Sequence, residues 1–146
     1  QSNKTRPIAT HFDWVHSVDR LKTARRLNDQ RPPELGPLQV CVQVNISGES
    51  SKSGADPLQL AALVSDIRKL PRLHLRGLMA IPAPSDDPME QHRAFAALRG
   101  HLQSLRDLAP DMDTLSMGMS GDLEAAVAEG ATILRVGTAL FGPRNR

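Results

Sequence analysis

Short apolar runs alternate along this chain with longer stretches of helical periodicity, and no hairpin turn signal joins any two of the runs. Strands joined through helices must lie parallel, because a parallel pair needs a long crossover and a helix is the usual one. The first run is Trp14-Val15-His16-Ser17-Val18, after which Asp19 offers an N-cap to a helix through about Asn28, stopped by Arg31-Pro32-Pro33-Glu34. In the second run Val40, Val42, Val44 and Ile46 alternate with Cys41, Gln43 and Asn45, giving one greasy and one more polar face. Asp56-Pro57 opens the next helix with proline at its first position, Leu60, Leu63, Val64 and Ile67 give it one apolar stripe, and Pro71 closes it.

The third run spans Leu73 to Ile81 and is ended by Pro82-Ala83-Pro84; Asp87-Pro88 then starts a long helix carrying Phe95, Leu98, Leu102 and Leu105. The pattern predicts a fourth strand over Thr114 to Met119, a short helix over Gly121 to Glu129, and a fifth strand over Ile133 to Val136, running into Gly137-Thr138-Ala139-Leu140-Phe141-Gly142. Five βα units without a glycine-rich dinucleotide turn fit part of a (β/α)8 barrel better than a Rossmann sheet. An incomplete barrel exposes two raw strand edges, so further strands, or a second copy pairing along those edges, are expected physically.

Composition narrows the function classes. The 18 basic residues are interleaved with 16 acids for a formal net charge of +2, and three Phe, one Trp and no Tyr offer few rings for stacking bases. A nucleic-acid surface is therefore not expected. The single Cys41 rules out an internal disulfide and a multi-cysteine metal site, and it reads as a small core side chain in a reducing compartment. No apolar run approaches the roughly 20 residues of a bilayer span, which, with no apolar signal core at the start, makes the reading cytoplasmic. The chain opens on Gln1 with no leader-like stretch, and this terminus is expected to fall within a larger domain. Residues 1–146 are read as one domain.

In such a barrel the working residues lie at C-terminal strand ends, which selects Asn45, Met79, Ser120, and Arg135 with Gly137 and Thr138. By the period of two, Ser116, Gly118 and Ser120 share one face, placing Ser120 where the following helix exposes its free N–H groups. It could hold a phosphate there or simply cap that helix, and the sequence leaves both readings open. Arg135 shares a face with Ile133 and Gly137, so its guanidinium aims inward and needs an anionic or acceptor partner. That partner is either a ligand or a neighbouring acid such as Glu124. The five histidines have no paired-ligand spacing, so no metal site is expected and they are assigned to surfaces or helix faces. Lys52 lies in a Ser- and Gly-containing loop that lacks the flanking glycine of a Walker motif. Met117 and Met119 follow strand alternation and read as packing.

Taken together, several segments resemble the pyridoxal 5′-phosphate (PLP) homeostasis proteins. They are Gln1-Ser2-Asn3-Lys4, Ser17-Val18-Asp19, Asn45-Ile46-Ser47 with Lys52-Ser53-Gly54, Arg76 to Ile81, Ser116-Met117-Gly118-Met119-Ser120-Gly121-Asp122, and Arg135 to Gly142. The resemblance covers essentially the whole chain. It implies a partial PLP-binding TIM barrel of the alanine racemase-like kind (fold type III), with the last five βα units present and about three earlier ones absent. It gives Ser120, Gly137 and Thr138 the cofactor phosphate, sets Arg135 against the ring or phosphate, and makes Asn45 and Met79 lining residues. Where Arg135 donates to the ring nitrogen, that nitrogen stays unprotonated and the ring is a poorer electron sink, which suits a carrier better than a catalyst. The family's Schiff-base lysine lies on the first barrel strand, and neither Lys4 nor Lys52 matches it, so cofactor binding here is expected to be non-covalent. The function implied is buffering of PLP or its delivery to apoenzymes, without catalysis. The alternatives are a racemase-like PLP enzyme, disfavoured by the lack of any Tyr or second domain to supply an acid or base, and a sugar-phosphate barrel enzyme.

Overall fold

The structure, a computed structural model, describes residues 1–49 and 53–143. Four strands form one parallel sheet: β1 (Trp14–Val18), β2 (Leu38–Gln43), β3 (Leu73–Met79) and β4 (Thr114–Ser116), each beside the one before it in the chain. Helices α1 (Thr5–His11), α2 (Leu21–Gln30), α3 (Leu60–Arg68), α4 (Pro88–Ser104), α5 (Leu123–Ala128) and α6 (Thr138–Phe141), with short 3-10 turns at Ser2–Lys4, Pro33–Leu35 and Pro57–Gln59, complete the element order. A sheet whose strands follow chain order without reversal is a barrel segment, since a doubly wound sheet must turn back at a switch point.

Side-chain chemistry sets two of the starts. Asp87 accepts the Met89 N–H at 2.9 Å and caps α4, and Asp56 accepts that of Leu58 at 2.9 Å and caps the 3-10 turn Pro57–Gln59 that leads into α3, each followed by a proline that has no N–H to satisfy. Leu60, Val64 and Ile67 of α3 and Phe95 and Leu98 of α4 turn inward onto the sheet, where Leu38, Val40, Val42 and Leu78 are fully buried. Each such side chain contributes about 1.5–3 kcal/mol on leaving water. On β2, Val40 and Val42 join the core while Cys41 and Gln43 occupy the other face, also buried, so the strand is covered on both sides.

Glycine is required at two points. A Cβ on Gly77 would stand 1.8 Å from the Thr114 carbonyl oxygen, so only glycine lets β3 and β4 approach. Gly118 has φ +98°, where L side chains are strained, and a Cβ there would also meet Ala126 Cβ at 2.5 Å.

Below the sheet lies a polar staple with no clear sequence signal. Arg31 is 2% exposed and donates from Nε to Gly36 O (2.9 Å), from Nη1 to Ala9 O (2.9 Å) and Phe12 O (2.7 Å), and from Nη2 to Leu35 O (3.2 Å). It thereby ties the end of α1 to the turn that precedes β2.

Three sequence expectations need correction here, and one element had no expectation at all. The fifth strand over Ile133 to Val136 is reduced to a single parallel bridge, Ser116 to Ile133, with Met117 N–H donating to Ile133 O at 3.1 Å and Arg135 N–H to Gly118 O at 2.9 Å, the positive φ of Gly118 interrupting the regular extended pairing. For the same reason the two-residue alternation on β4 stops after Ser116, and Ser120 lies in the turn beyond it. Asp19 does not cap α2, since its carboxylate takes the neighbouring Arg20 Nε at 3.1 Å. The helix α1 was not foreseen, having few apolar residues of its own; Ala9, fully buried, is its anchor.

Candidate functional site

The C-terminal ends of β3, β4 and the 133–137 segment converge. Arg135 N–H donates to Gly118 O at 2.9 Å, which fixes the segment against the turn after β4. The Arg135 guanidinium then reaches inward, donating from Nη1 to Ser116 Oγ (2.6 Å) and from Nη2 to Ala80 O (2.9 Å). Burial weakens its hold on its proton, opposed by the field of Asp122. Glu124 is not its partner, and among the described residues no carboxylate lies within ion-pair distance of it. Its remaining N–H groups have no acceptor among those residues, so its direct hydrogen bonds go only to neutral oxygens while Asp122 acts on the charge from a distance.

Ser120 does not cap α5. Its Oγ instead accepts the Ala139 N–H at 3.0 Å, joining the turn after β4 to the start of α6. With its oxygen used as acceptor, the hydroxyl proton stays available to donate outward. Among the described residues the N–H groups of Gly137 and Thr138 have no recorded acceptor, and a Cβ on Gly137 would meet nothing within 4 Å. The structure thus gathers Ser120, Arg135, Gly137 and Thr138, and Met79, paired in register with Ser116, is buried beside them.

Asn45 is employed differently: its Nδ2 donates to Glu49 O (2.8 Å) and its Oδ1 accepts Ser47 Oγ (2.9 Å), so both ends of the amide shape its own loop. Lys52 lies outside the described residues. Met117 is buried as expected for packing, whereas Met119 is 37% exposed and lines a cavity of about 460 Å³ with Gln43, Ile81, Gln91, Gly121 and Asp122. That cavity opens next to Ser120, yet none of the six residues singled out from the sequence is among its lining.

Sequence reasoning missed His16. It lies on β1, not on a helix face, is half-buried, and its Nδ1 is 2.7 Å from Ser116 Oγ on β4. Those strands are the two edges of the sheet, and three strand spacings laid flat would separate them by about 14 Å, beyond the reach of a His and a Ser side chain. The contact therefore requires the sheet to curl, with its concave face carrying His16, Ser116 and Arg135. Burial, and then the charge of Arg135, hold the imidazole pKa below its ordinary value. Cys41 has its thiol pushed up to about 12, mainly by burial, and so stays protonated.

Among the described residues no helix is long and apolar enough to cross a membrane, and no group of His, Cys, Asp and Glu is placed to hold a metal.

A family model described as "Alanine racemase, N-terminal domain" matches residues 1–145. A pyridoxal phosphate homeostasis protein of Pseudomonas aeruginosa is 63% identical over 145 residues, and one of Escherichia coli is 52% identical. Each alignment takes in 99% of this chain and 62% of the relative, so the chain spans under two thirds of those proteins' length. PipY of Synechococcus elongatus PCC7942, solved with PLP bound, superposes with a TM-score of 0.87 at 41% identity over 97% of this chain and 66% of its own. A D-threonine aldolase of Filomicrobium marinum shares the fold at TM-score 0.77 and 18% identity.

Proposed function

This chain belongs to the alanine racemase N-terminal-domain family, and from that premise we propose that it is the phosphate-holding part of a PLP-binding barrel that serves PLP homeostasis. The observation that carries the reading is the Arg135 guanidinium, half-buried, answered only by Ser116 and Ala80, and set beside a hydroxyl and backbone amides that all have donors to spare. A site made of donors, with no carboxylate in ion-pair contact with its cation among the described residues, suits a phosphate ester. The cofactor fits these residues: Ser120, Gly137 and Thr138 hold its phosphate, Arg135 faces its ring or phosphate, and Met79 and Asn45 border it. When bound, PLP supplies an aldehyde reactive toward amines and an electron-withdrawing ring.

The protein's own contribution is retention and orientation. A cation fixed against the cofactor restrains its electronics, and the residues assigned to the cofactor bring a guanidinium, hydroxyls, a thioether, an amide and backbone N–H groups rather than a general acid or base. That favours buffering or delivery of the cofactor to other enzymes over catalysis. The similarity to relatives named for pyridoxal phosphate homeostasis supports the same reading. In this proposal residues 1–146 are the C-terminal part of the barrel, and the open edge of β1 pairs with further strands or with a second copy.

The test is a titration of the chain with PLP and, separately, with pyridoxal, which lacks the phosphate. PLP alone should be retained, without an imine absorption band and without a borohydride-stable adduct on Lys4 or Lys52. Equal retention of pyridoxal removes the phosphate site, and a stable lysine adduct removes the non-covalent reading.

A further inference from the structure

Ser116 and His16 have no task in the ligand reading, yet their geometry is specific. Ser116 is fully buried at the end of β4, and its Oγ stands 2.6 Å from Arg135 Nη1 and 2.7 Å from His16 Nδ1. A hydroxyl carries one proton and two lone pairs, and a guanidinium can only donate. Ser116 therefore accepts from Arg135, and its own proton is free to go to Nδ1, provided that the imidazole is neutral with its proton on Nε2. A protonated imidazole must donate at Nδ1 too. The buried Ser116 proton then loses its acceptor, and a second cation stands one hydroxyl away from Arg135.

The surroundings do not offset that second charge. From β2 the titratable group is Cys41, neutral as a thiol; from β3 it is Arg76, whose guanidinium is paired with Asp113 at 2.9 Å and lies over the Trp14 ring. From the segment after β4 it is Arg135 itself, with Asp122 acting on it from the turn. Among the described residues no carboxylate is within ion-pair distance of His16.

We propose that His16 and Ser116 are positioning residues, forming a directed relay from Arg135 to Ser116 to His16 that aims the guanidinium at the phosphorylated ligand and releases it when the imidazole takes a proton. The aim at that ligand rests on the reading in the preceding section; the relay itself rests on the three side chains. The depressed proton affinity of His16 runs in the same direction.

Two measurements decide it. Nitrogen NMR of the imidazole in this chain, without ligand, should show Nδ1 as an unprotonated acceptor and Nε2 as the protonated nitrogen, with a titration midpoint below the ordinary 6.5. PLP affinity should fall about tenfold at pH 8 in His16→Leu and in Ser116→Ala, the loss expected for one hydrogen bond to a charged group. His16→Asn keeps an acceptor near the Nδ1 position but cannot titrate. It should hold affinity within about threefold and lack the extra weakening on acidification that the parent chain shows beyond the ligand's own phosphate titration.

A proton on Nδ1, or His16→Leu binding as tightly as the parent at pH 8, overturns the relay. Should His16→Leu fail to fold, the tautomer and the pH profile of His16→Asn still give the answer. If the parent chain binds no PLP, while Nδ1 is an acceptor and the Arg135 Nη protons exchange slowly only when His16 is intact, the relay stands as the device ordering Arg135 and the ligand reading falls.

Discussion

The guanidinium of Arg31 is 2% exposed and donates to four backbone carbonyls, whereas that of Arg135 donates to one carbonyl and one hydroxyl and keeps N–H groups in reserve. The region around Arg31 is closed: α1 with the residue after it, and the turn before β2, supply its four carbonyl acceptors, and the exposed Asp13 stands 3.8 Å from Nη2, so the charge is absorbed by the fold. Around Arg135 the chain is built the other way. β4 is three residues long, the last expected strand is reduced to a bridge, and Leu140 and Phe141 beyond it are 71% and 86% exposed. A buried charge satisfied by protein is a structural fastener, and one left short of acceptors is what the function proposed above takes for a site.

If that contrast is correct, replacing the two arginines should have opposite signatures. Arg31→Met leaves four inward carbonyls without a donor, at about 1–3 kcal/mol for each that cannot reach water. A loss of roughly 3–5 kcal/mol is expected, read as a large drop in the urea midpoint. A midpoint within experimental error of the parent would mean that water replaces the guanidinium easily and that the collar is not closed at all.

Arg135→Met is the matched experiment. It removes a charge whose burial is only partly compensated, so stability should change by no more than about 1 kcal/mol in either direction. PLP affinity, in contrast, should fall on the order of 30-fold, near 2 kcal/mol, for the loss of a charged donor. Stability collapsing in step with binding would erase the distinction between fastener and site.

A smaller effect calibrates the scaffold between them. Asp87 caps α4 through Met89 N–H, and Asp87→Ala should cost about 1 kcal/mol of stability while leaving ligand affinity unchanged. A change in affinity would show that α4 communicates with the turn after β4, which Gln91 already touches through Gly121 O at 3.3 Å.

The same contrast explains which parts of the molecule could be read from the sequence. Periodicity and capping chemistry are local, so β1, β3, α3 and α4 were legible from apolar spacing and from the Asp-Pro pairs at 56–57 and 87–88. Ser120, Arg135, Gly137 and Thr138 were grouped from the sequence by the rule that ligands bind at strand ends in a parallel barrel, and the resemblance marked the same residues; that they bind a ligand is the proposal made above. His16 was not, since its partner lies 100 residues away and meets it only when the sheet curls. Arg31 was read as part of a helix stop, because nothing local announces that four carbonyls from separate turns will face it. The fifth strand failed for a related reason: a strand is stabilised by its neighbour's length, and Gly118 shortens that neighbour.

The smallest expected effect concerns acid. His16 has its pKa lowered in the folded chain by burial and by Arg135, so as pH falls below about its ordinary 6.5 the unfolded chain takes up a proton that the folded one resists. Stability is therefore level above that value and declines as pH drops from 6.5 toward the folded pKa. The carboxylates held low by ion pairs work in a separate window. Asp113 and Asp111 are held by their hydrogen bonds to Arg76 and Arg68, and Glu129 by its bond to His92; each stabilises above its ordinary value of 3.8 or 4.5 and loses that contribution only as pH falls further. A urea series between pH 7.5 and about 5 stays above the range in which those carboxylates take up protons, and the difference between the parent chain and a His16 variant reads the region around Arg135. His16→Asn should flatten the decline across that range, and an undiminished slope in the variant would place the acid-sensitive group away from the concave face.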